Sequence, residues 1–99
     1  MAKKIIWTVR AQNDRFKIFE YWNNRNKSNS YSRRLNALFK ESVKIISRYP
    51  LLGKPTSEEN VRIKIVRDYL LFYEIREDII IILMIWDSRQ NPKNIKFRF

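Results

Sequence analysis

The pattern of apolar residues predicts a short strand followed by a helix at the start of the chain. Residues 4–9 (KIIWTV) are mostly β-branched around one tryptophan, which is typical of a strand. Residues 12–14 (QND) carry side chains that cap helix N-termini. The helix that they begin is expected to end near residues 23–24, and its inward face is expected to contain Phe16, Phe19 and Trp22.

A second helix is predicted after a polar turn over residues 24–30. Its apolar face repeats at spacings of four and three residues, and Pro50 stops it. Because the connection is short and each helix has one apolar face, the two helices are expected to form an antiparallel hairpin. The inward positions predicted for the second helix are Tyr31, Leu35, Leu38, Ser42, Ile45 and Tyr49.

After a loop over residues 51–60, the period changes to two and predicts three strands. They cover residues 61–66, 69–75 and 79–86, with tight turns near residues 67–68 and 77–78. The last strand is apolar on both faces, which favours a central place in the sheet or cover on both sides. In the first of the three strands, the expected inward residues are Val61, Ile63 and Ile65, and the expected solvated residues are Arg62 and Lys64.

These elements predict one α+β domain over residues 1–99, with the order β-α-α-β-β-β and the helical hairpin packed on an antiparallel sheet. The tail is polar until apolar residues alternate with basic ones over residues 95–99. This segment, residues 91–99, either adds an edge strand or becomes ordered with a partner, and the pattern leaves both open.

Composition excludes several kinds of chemistry. The chain has no Cys and no His, so thiolate metal sites, disulfides and an imidazole base are excluded. Its single Gly cannot build a glycine-rich phosphate loop. The longest apolar run, residues 79–86, is far too short to span a membrane. We therefore expect a cytoplasmic protein with no cofactor, no metal and no membrane partner.

The net charge of +11 is concentrated in the first half of the chain. Residues 1–50 hold 12 Lys and Arg against 3 Asp and Glu, a net of +9. A field of this sign attracts phosphate backbones, anionic membranes or an acidic protein, although it is also what a solvated surface of a basic protein produces.

Fixed cations on a strand are the most specific candidate for chemistry. Arg62 and Lys64 are two residues apart, about 7 Å along one face of a strand. Cations fixed in this way could bind a phosphodiester and stabilise the charge that develops on its oxygens. The competing interpretation is the solvated face of an antiparallel sheet. Further cations that could approach the same side are Arg89 and, as RNA-binding candidates, Lys54 and Arg67.

The order and spacing of these segments resemble the RelE/ParE superfamily of bacterial type II toxins. The similarity covers residues 3–93 and rests on the strand–helix–helix opening and on four sequence words: YPLLG (49–53), VRIKI (61–65), YLLFYEI (69–75) and DSRQNP (87–92). It implies a small basic toxin that is held inactive by an acidic antitoxin. RelE-like members cut mRNA in the ribosome, whereas ParE-like members inhibit DNA gyrase, and a third group is inactive.

By the same resemblance, Arg62 and Lys64 match the basic strand that RelE-like toxins aim at the scissile phosphate, and Arg89 matches the functional arginine after the last strand. The chain departs from that pattern at Leu70, which replaces an arginine, and by lacking a late His and a Tyr after Arg89. Catalysis would then need Lys64 as base or electrostatic stabiliser, with proton carriers drawn from Tyr73, Glu58 and Glu59. Because the paired cations are present, the sequence favours ribosome-dependent mRNA cleavage, with gyrase inhibition or an inactive binding module as the alternatives.

Overall fold

The computed structural model describes residues 2–90 and places two helices on one face of a five-stranded sheet. The predicted behaviour of residues 91–99 lies outside the described residues. The elements are β1 (Lys4–Trp7), α1 (Val9–Asn26), α2 (Ser30–Arg48), a 3₁₀ turn (Pro50–Leu52), β2 (Lys54–Pro55), β3 (Val61–Val66), β4 (Tyr69–Ile75) and β5 (Ile79–Asp87). The predicted α+β class and the helical hairpin are confirmed, and β2 is a short additional strand within the predicted loop.

The sheet is mixed rather than purely antiparallel. The strand order is β1-β5-β4-β3-β2, and β1 runs parallel to β5 while the other neighbours are antiparallel. The parallel pair is possible because both helices lie between β1 and the rest of the sheet in the chain, and parallel neighbours need such a long connection. The strand β5 therefore has a central place, as its apolar character on both faces indicated.

The first helix begins earlier than predicted. Thr8 is its N-cap: the Thr8 hydroxyl oxygen accepts a hydrogen bond from the Ala11 N–H at 3.0 Å. The Thr8 Oγ1 atom also lies 3.0 Å from the carbonyl oxygens of Ile82 and Leu83, so its proton is donated to β5. The prediction that the strand continued to Val9 and that residues 12–14 capped the helix was wrong, because the threonine that favours a strand also satisfies the first N–H groups of a helix.

Two aromatic residues that were predicted to face inward are exposed. Phe16 is 64% exposed and Tyr49 is 63% exposed. Positions spaced by three drift around a helix, so Phe16 lies about 120° from Trp22 and cannot share its face. The helical residues that form the core with the sheet are Ala11, Leu35, Phe39, Val43 and Ile46, with Ile18, Phe19 and Trp22 packed against them.

The faces of β3 are the reverse of the prediction. Arg62 and Lys64 lie opposite Tyr73 and Leu71, which belong to the core under the helices, and directly opposed residues share a face. The side of the sheet away from the helices carries a second apolar cluster formed by Val61, Phe72, Leu83 and Met84, with Ile63 packed against it. Ile65 remains 48% exposed. Alternation alone could not assign the faces, because the sheet is apolar on both sides.

We expect Thr8→Ala to lower the free energy of unfolding by about 1 kcal/mol, since it removes the cap of α1. Thr8→Ser keeps the hydroxyl and serves as the control. Urea unfolding of the three proteins measures the effect, and equal stability of Thr8→Ala and wild type would show that the cap is dispensable.

Candidate functional site

Arg62 is bound to the turn that follows α2. Its Nη1 atom donates hydrogen bonds to the carbonyl oxygens of Leu51, at 3.2 Å, and Gly53, at 2.8 Å. The side chain is half-buried on the helix-facing side of β3. Part of the guanidinium is therefore used to hold the backbone of residues 50–53, hereafter the 50–53 turn.

Tyr73, which lies in β4, also holds the 50–53 turn. Its hydroxyl donates to the Pro50 carbonyl oxygen at 2.6 Å and accepts from the Gly53 N–H at 3.0 Å. Gly53 is required by this approach, because a Cβ atom there would lie 2.5 Å from the Tyr73 hydroxyl oxygen and 2.8 Å from the Ile63 carbonyl oxygen. The sequence segments YPLLG (49–53) and YLLFYEI (69–75) are therefore in contact through the Tyr73 hydroxyl.

The environment of Tyr73 does not favour proton transfer. The side chain is fully buried, and burial raises the pKa of its phenol, while the Gly53 N–H and the Arg62 charge act in the opposite direction with smaller effects. The hydroxyl proton is already donated to a backbone carbonyl. This geometry indicates a structural role for Tyr73.

Lys64 is a second cation on the helix-facing side of β3, and its ammonium is not used in a structural contact with the described residues. It lies opposite Leu71 and is half-buried. Among the residues that the structure describes, none forms a hydrogen bond or ion pair with its ammonium. Its spacing from Arg62, about 7 Å along the strand, allows both side chains to face one anionic group.

Arg89 is held by a carboxylate at the other end of the sheet. Its Nε and Nη2 atoms donate to the two carboxylate oxygens of Asp87 at 2.9 and 2.7 Å, and its backbone N–H also donates to Asp87. These hydrogen bonds hold the pKa of the Asp87 carboxyl below its ordinary value, in spite of its partial burial. The guanidinium also lies 5.9 Å from the centre of the Trp22 ring.

The predicted cations form two groups. Arg62 lies opposite Tyr73, whereas Asp87, which holds Arg89, lies opposite Tyr69. Four residues along β4 correspond to about 13 Å between the two levels. The exposed Lys54 is next to the first group, because β2 pairs with β3 at Ile63 and Arg62. The exposed Arg67 lies in the β3–β4 turn, near the second group. Arg62 and Lys64 therefore lie on one strand, whereas Asp87, which holds Arg89, lies two strands away, about 13 Å along the sheet from the level of Arg62 and about 7 Å from that of Lys64.

A cleft of about 360 Å³ lies beside Arg89, between α1 and the end of β5. Its polar lining includes Asp14, whose carboxylate accepts a hydrogen bond from the Ile85 N–H at 3.1 Å. Burial raises the pKa of the Asp14 carboxyl, against the opposing effects of the Ile85 N–H and the charges of Arg10 and Lys17. The remaining lining residues are Lys17, Ile18, Tyr21, Tyr69, Ile85, Trp86, Asp87, Arg89 and Gln90.

The cleft was missed at the sequence level. Asp14, Lys17 and Tyr21 are spaced by three and four residues, which places them on one side of α1. The predicted capping role of residues 12–14 puts Asp14 at the start of the helix, where it has no common side with Lys17 and Tyr21. Glu58 and Glu59, the other proposed proton carriers, are exposed in the loop before β3.

We searched residues 2–90 for groups of metal-binding side chains and for membrane-spanning helices. Within residues 2–90, no three His, Cys, Asp or Glu side chains are grouped so that they could hold a metal ion. No helix formed by these residues is long and apolar enough to cross a membrane.

Comparisons with known proteins agree with the fold. The family model described as the ParE toxin of the type II toxin–antitoxin system parDE matches residues 5–92. The chromosomal ParDE toxin–antitoxin system from P. aeruginosa is similar in structure, with a TM-score of 0.72, 18% identity, and coverage of 85% of this chain and 94% of that chain. The RelBE2 toxin–antitoxin complex from Mycobacterium tuberculosis has a TM-score of 0.63 at 23% identity, and covers 86% of this chain and 96% of that chain. No curated protein sequence matches the chain.

We expect Tyr73→Phe to lower the free energy of unfolding by about 1–3 kcal/mol, since the Gly53 N–H and the Pro50 carbonyl lose their buried partner. Tyr49→Phe, at an exposed position, is the matched control. Denaturant unfolding measures both, and an unchanged stability of Tyr73→Phe would show that the hydroxyl does not hold the 50–53 turn.

We also expect a pH dependence from Asp14. A carboxyl whose pKa is raised in the folded state, here above its ordinary 3.8, binds protons more tightly in the folded than in the unfolded protein. Its stabilising contribution is complete below the unfolded pKa and is lost as the pH rises through the folded pKa. Asp14→Asn does not titrate, so its stability relative to wild type should increase between about pH 3 and about pH 7. A stability difference that is constant over this range would contradict the shift.

Proposed function

Because the chain belongs to the ParE toxin family of type II toxin–antitoxin systems, we propose that it arrests growth by binding DNA gyrase and not by cutting RNA. The observation that carries this proposal is the use of Arg62 and Tyr73 to hold the 50–53 turn. Attack of a ribose hydroxyl on phosphate needs a group that takes the proton and groups that stabilise the phosphate charge. Two of the residues that would supply these functions are engaged in structural hydrogen bonds.

The second group of cations is also poorly suited to that chemistry. Arg89 is paired with the Asp87 carboxylate, and it lies about 13 Å from the level of Arg62 on the sheet. Without a His in the sequence, Lys64 would have to serve alone as both cation and base. An inhibitor that acts only by binding its target needs neither a base nor groups that stabilise charge on a phosphate.

The surface that we propose for target binding is the outer side of α1. Phe16 and Val9 are 64% and 78% exposed, and their spacing of seven residues places them on one side of the helix. A protein partner that packs on this side of α1 would bury both side chains, which the fold itself leaves exposed. This surface belongs to the helical hairpin and leaves the cations of β3 outside the contact.

Ribosome-dependent mRNA cleavage is the second candidate function, and one observation favours it. Within the described residues, no hydrogen bond or ion pair engages the Lys64 ammonium, and Lys64 shares a face of the sheet with Arg62, as the resemblance to RelE-like toxins implied. Under this function, Lys64→Ala would abolish the activity.

The antitoxin that the family implies is proposed to be acidic. A net charge of +11 steers an acidic partner, and the affinity for it should fall as the salt concentration rises. The two similar structures are a ParDE toxin–antitoxin system and a RelBE2 toxin–antitoxin complex, so both include an antitoxin.

The test combines two reactions with the same purified variants. We expect wild type to inhibit supercoiling of plasmid by purified gyrase and to leave mRNA intact in a reconstituted translation reaction. Phe16→Ala should raise the concentration for half-inhibition by about tenfold or more, because a contacting Phe side chain contributes about 1.5–3 kcal/mol when it is buried. Lys64→Ala and Arg89→Ala should inhibit gyrase as wild type does.

The opposite pattern of results would support ribosome-dependent mRNA cleavage. New mRNA ends that require ribosomes and disappear with Lys64→Ala would contradict gyrase binding. Inducible expression of wild type provides the control for activity, since unaffected growth would identify an inactive homologue. Urea unfolding of each variant separates loss of function from loss of fold.

A further inference from the structure

The face of the sheet that points away from the helices, hereafter the outer face, is apolar and buried at its centre. Phe72 on β4 and Met84 on β5 are directly opposed, and both are 0% exposed. Leu83 and Val61 belong to the same cluster and are 3% and 6% exposed. The protein therefore has a second buried apolar cluster, on the side of the sheet opposite to the helices.

No helix or strand formed by residues 2–90 lies over this cluster. Both helices pack on the other face, in the core that contains Leu71 and Tyr73. Every strand belongs to the one sheet. Neighbouring side chains in a single layer cover one another's flanks and leave their outer ends open, so complete burial requires a second layer. The burial of the outer face therefore points to a covering segment outside these elements.

The chain reverses direction where β5 ends. The Gln90 N–H donates to the Asp87 carbonyl at 3.0 Å, which is the i to i+3 hydrogen bond of a β-turn. The Ser88 N–H and hydroxyl both donate to the Asp68 carbonyl, at 2.8 and 2.7 Å, and hold this turn against the β3–β4 connection. A segment that continues from this turn is therefore directed back toward the sheet.

The part of the sequence that follows, residues 91–99 (NPKNIKFRF), is long enough to reach the centre of the outer face. Met84 precedes Asp87 by three residues, so it lies about 10 Å back along β5. Phe97 follows Gln90 by seven residues, and an extended chain of that length spans up to about 23 Å. Phe97 can therefore reach Met84 with length to spare for the change of direction.

The same segment has one apolar side when it is extended. Ile95, Phe97 and Phe99 alternate with Lys96 and Arg98, so the three apolar side chains share one side and the two cations share the other. Pairing at an edge of the sheet would leave the centre of the outer face uncovered, because β4 and β5 are interior strands. A position across the outer face buries the apolar side and leaves both cations in water.

We propose that residues 91–99 fold back over the outer face and cover it, with their apolar side packed on Phe72 and Met84. Lys96 and Arg98 then point to solvent, so the docked segment converts an apolar face of the sheet into a basic surface. A protein partner that approaches this side of the molecule meets the segment and its charges instead of the sheet. The inference concerns the chain alone and is independent of the target that the toxin inhibits.

Nuclear Overhauser effects in the full chain test the contact directly. The sequence has two methionines, Met1 and Met84, so ¹³C labelling of the methionine methyl groups gives two signals. We expect cross-peaks between the Met84 methyl group and the ring protons of Phe97, identified as those that disappear in Phe97→Leu. A mixture of labelled and unlabelled chains shows whether these cross-peaks arise within one chain, as expected, or between two copies.

Urea unfolding of variants measures what the contact contributes. Phe97→Ala should raise the equilibrium constant for unfolding by about tenfold or more, because a large apolar side chain loses its buried site. Lys96→Ala, one residue away on the opposite side of the segment, is the matched control and should change the constant by less than about threefold. In a chain that already carries Met84→Ala, the effect of Phe97→Ala should be smaller, since its partner is absent.

Three results would overturn the proposal. They are equal stability of Phe97→Ala and wild type, absence of cross-peaks between Phe97 and Met84, and cross-peaks that arise only between copies, which would place a second chain on the outer face. Because these measurements contain neither gyrase nor ribosomes, their failure would leave the proposed function intact, and failure of the gyrase assay would leave the docked segment intact.

Discussion

The hydroxyl of Tyr73 is the contact on which much of the structure depends. It joins β4, in the middle of the sheet, to both ends of the 50–53 turn, and so fixes the path of the chain from the end of α2 to β2. The Arg62 guanidinium completes the same joint from β3. Each buried polar group in this joint has a partner, and removing one of them leaves the others desolvated and unpaired.

The hydrogen bonds of Arg62 and Tyr73 to the 50–53 turn also limit the part that Arg62 can take in binding a phosphate. A guanidinium that satisfies two backbone carbonyls is a poor candidate for following the changing charge of a phosphate during transfer. Arg89 is likewise held by Asp87 at the far end of the sheet. With a net charge of +11, the protein also keeps many Lys and Arg side chains besides Arg62 and Arg89, and their charge attracts acidic partners.

Periodicity predicted both helices and most of the strands, but it did not predict which face of the sheet each side chain occupies. Periodicity predicted the second helix and the three final strands well, because each is long and strongly patterned. It failed at Thr8, whose side chain suits a strand and also caps a helix, and only the neighbouring β5 carbonyls decide between these roles. It failed again for Arg62 and Lys64, because a sheet that is apolar on both sides gives the same alternation in either orientation. The cleft around Asp14 depends on contacts between α1 and β5 that are distant in sequence, and no local pattern reports them.

The proposed mode of action is the binding of a protein target through a surface that excludes Arg62 and Lys64. The most direct measurement is equilibrium binding of the fluorescently labelled full chain to purified gyrase and, in parallel, to purified ribosomes, each with wild type and with Lys64→Ala. We expect saturable binding to gyrase that Lys64→Ala does not weaken. Binding to ribosomes alone, lost in Lys64→Ala, would contradict the proposed gyrase binding.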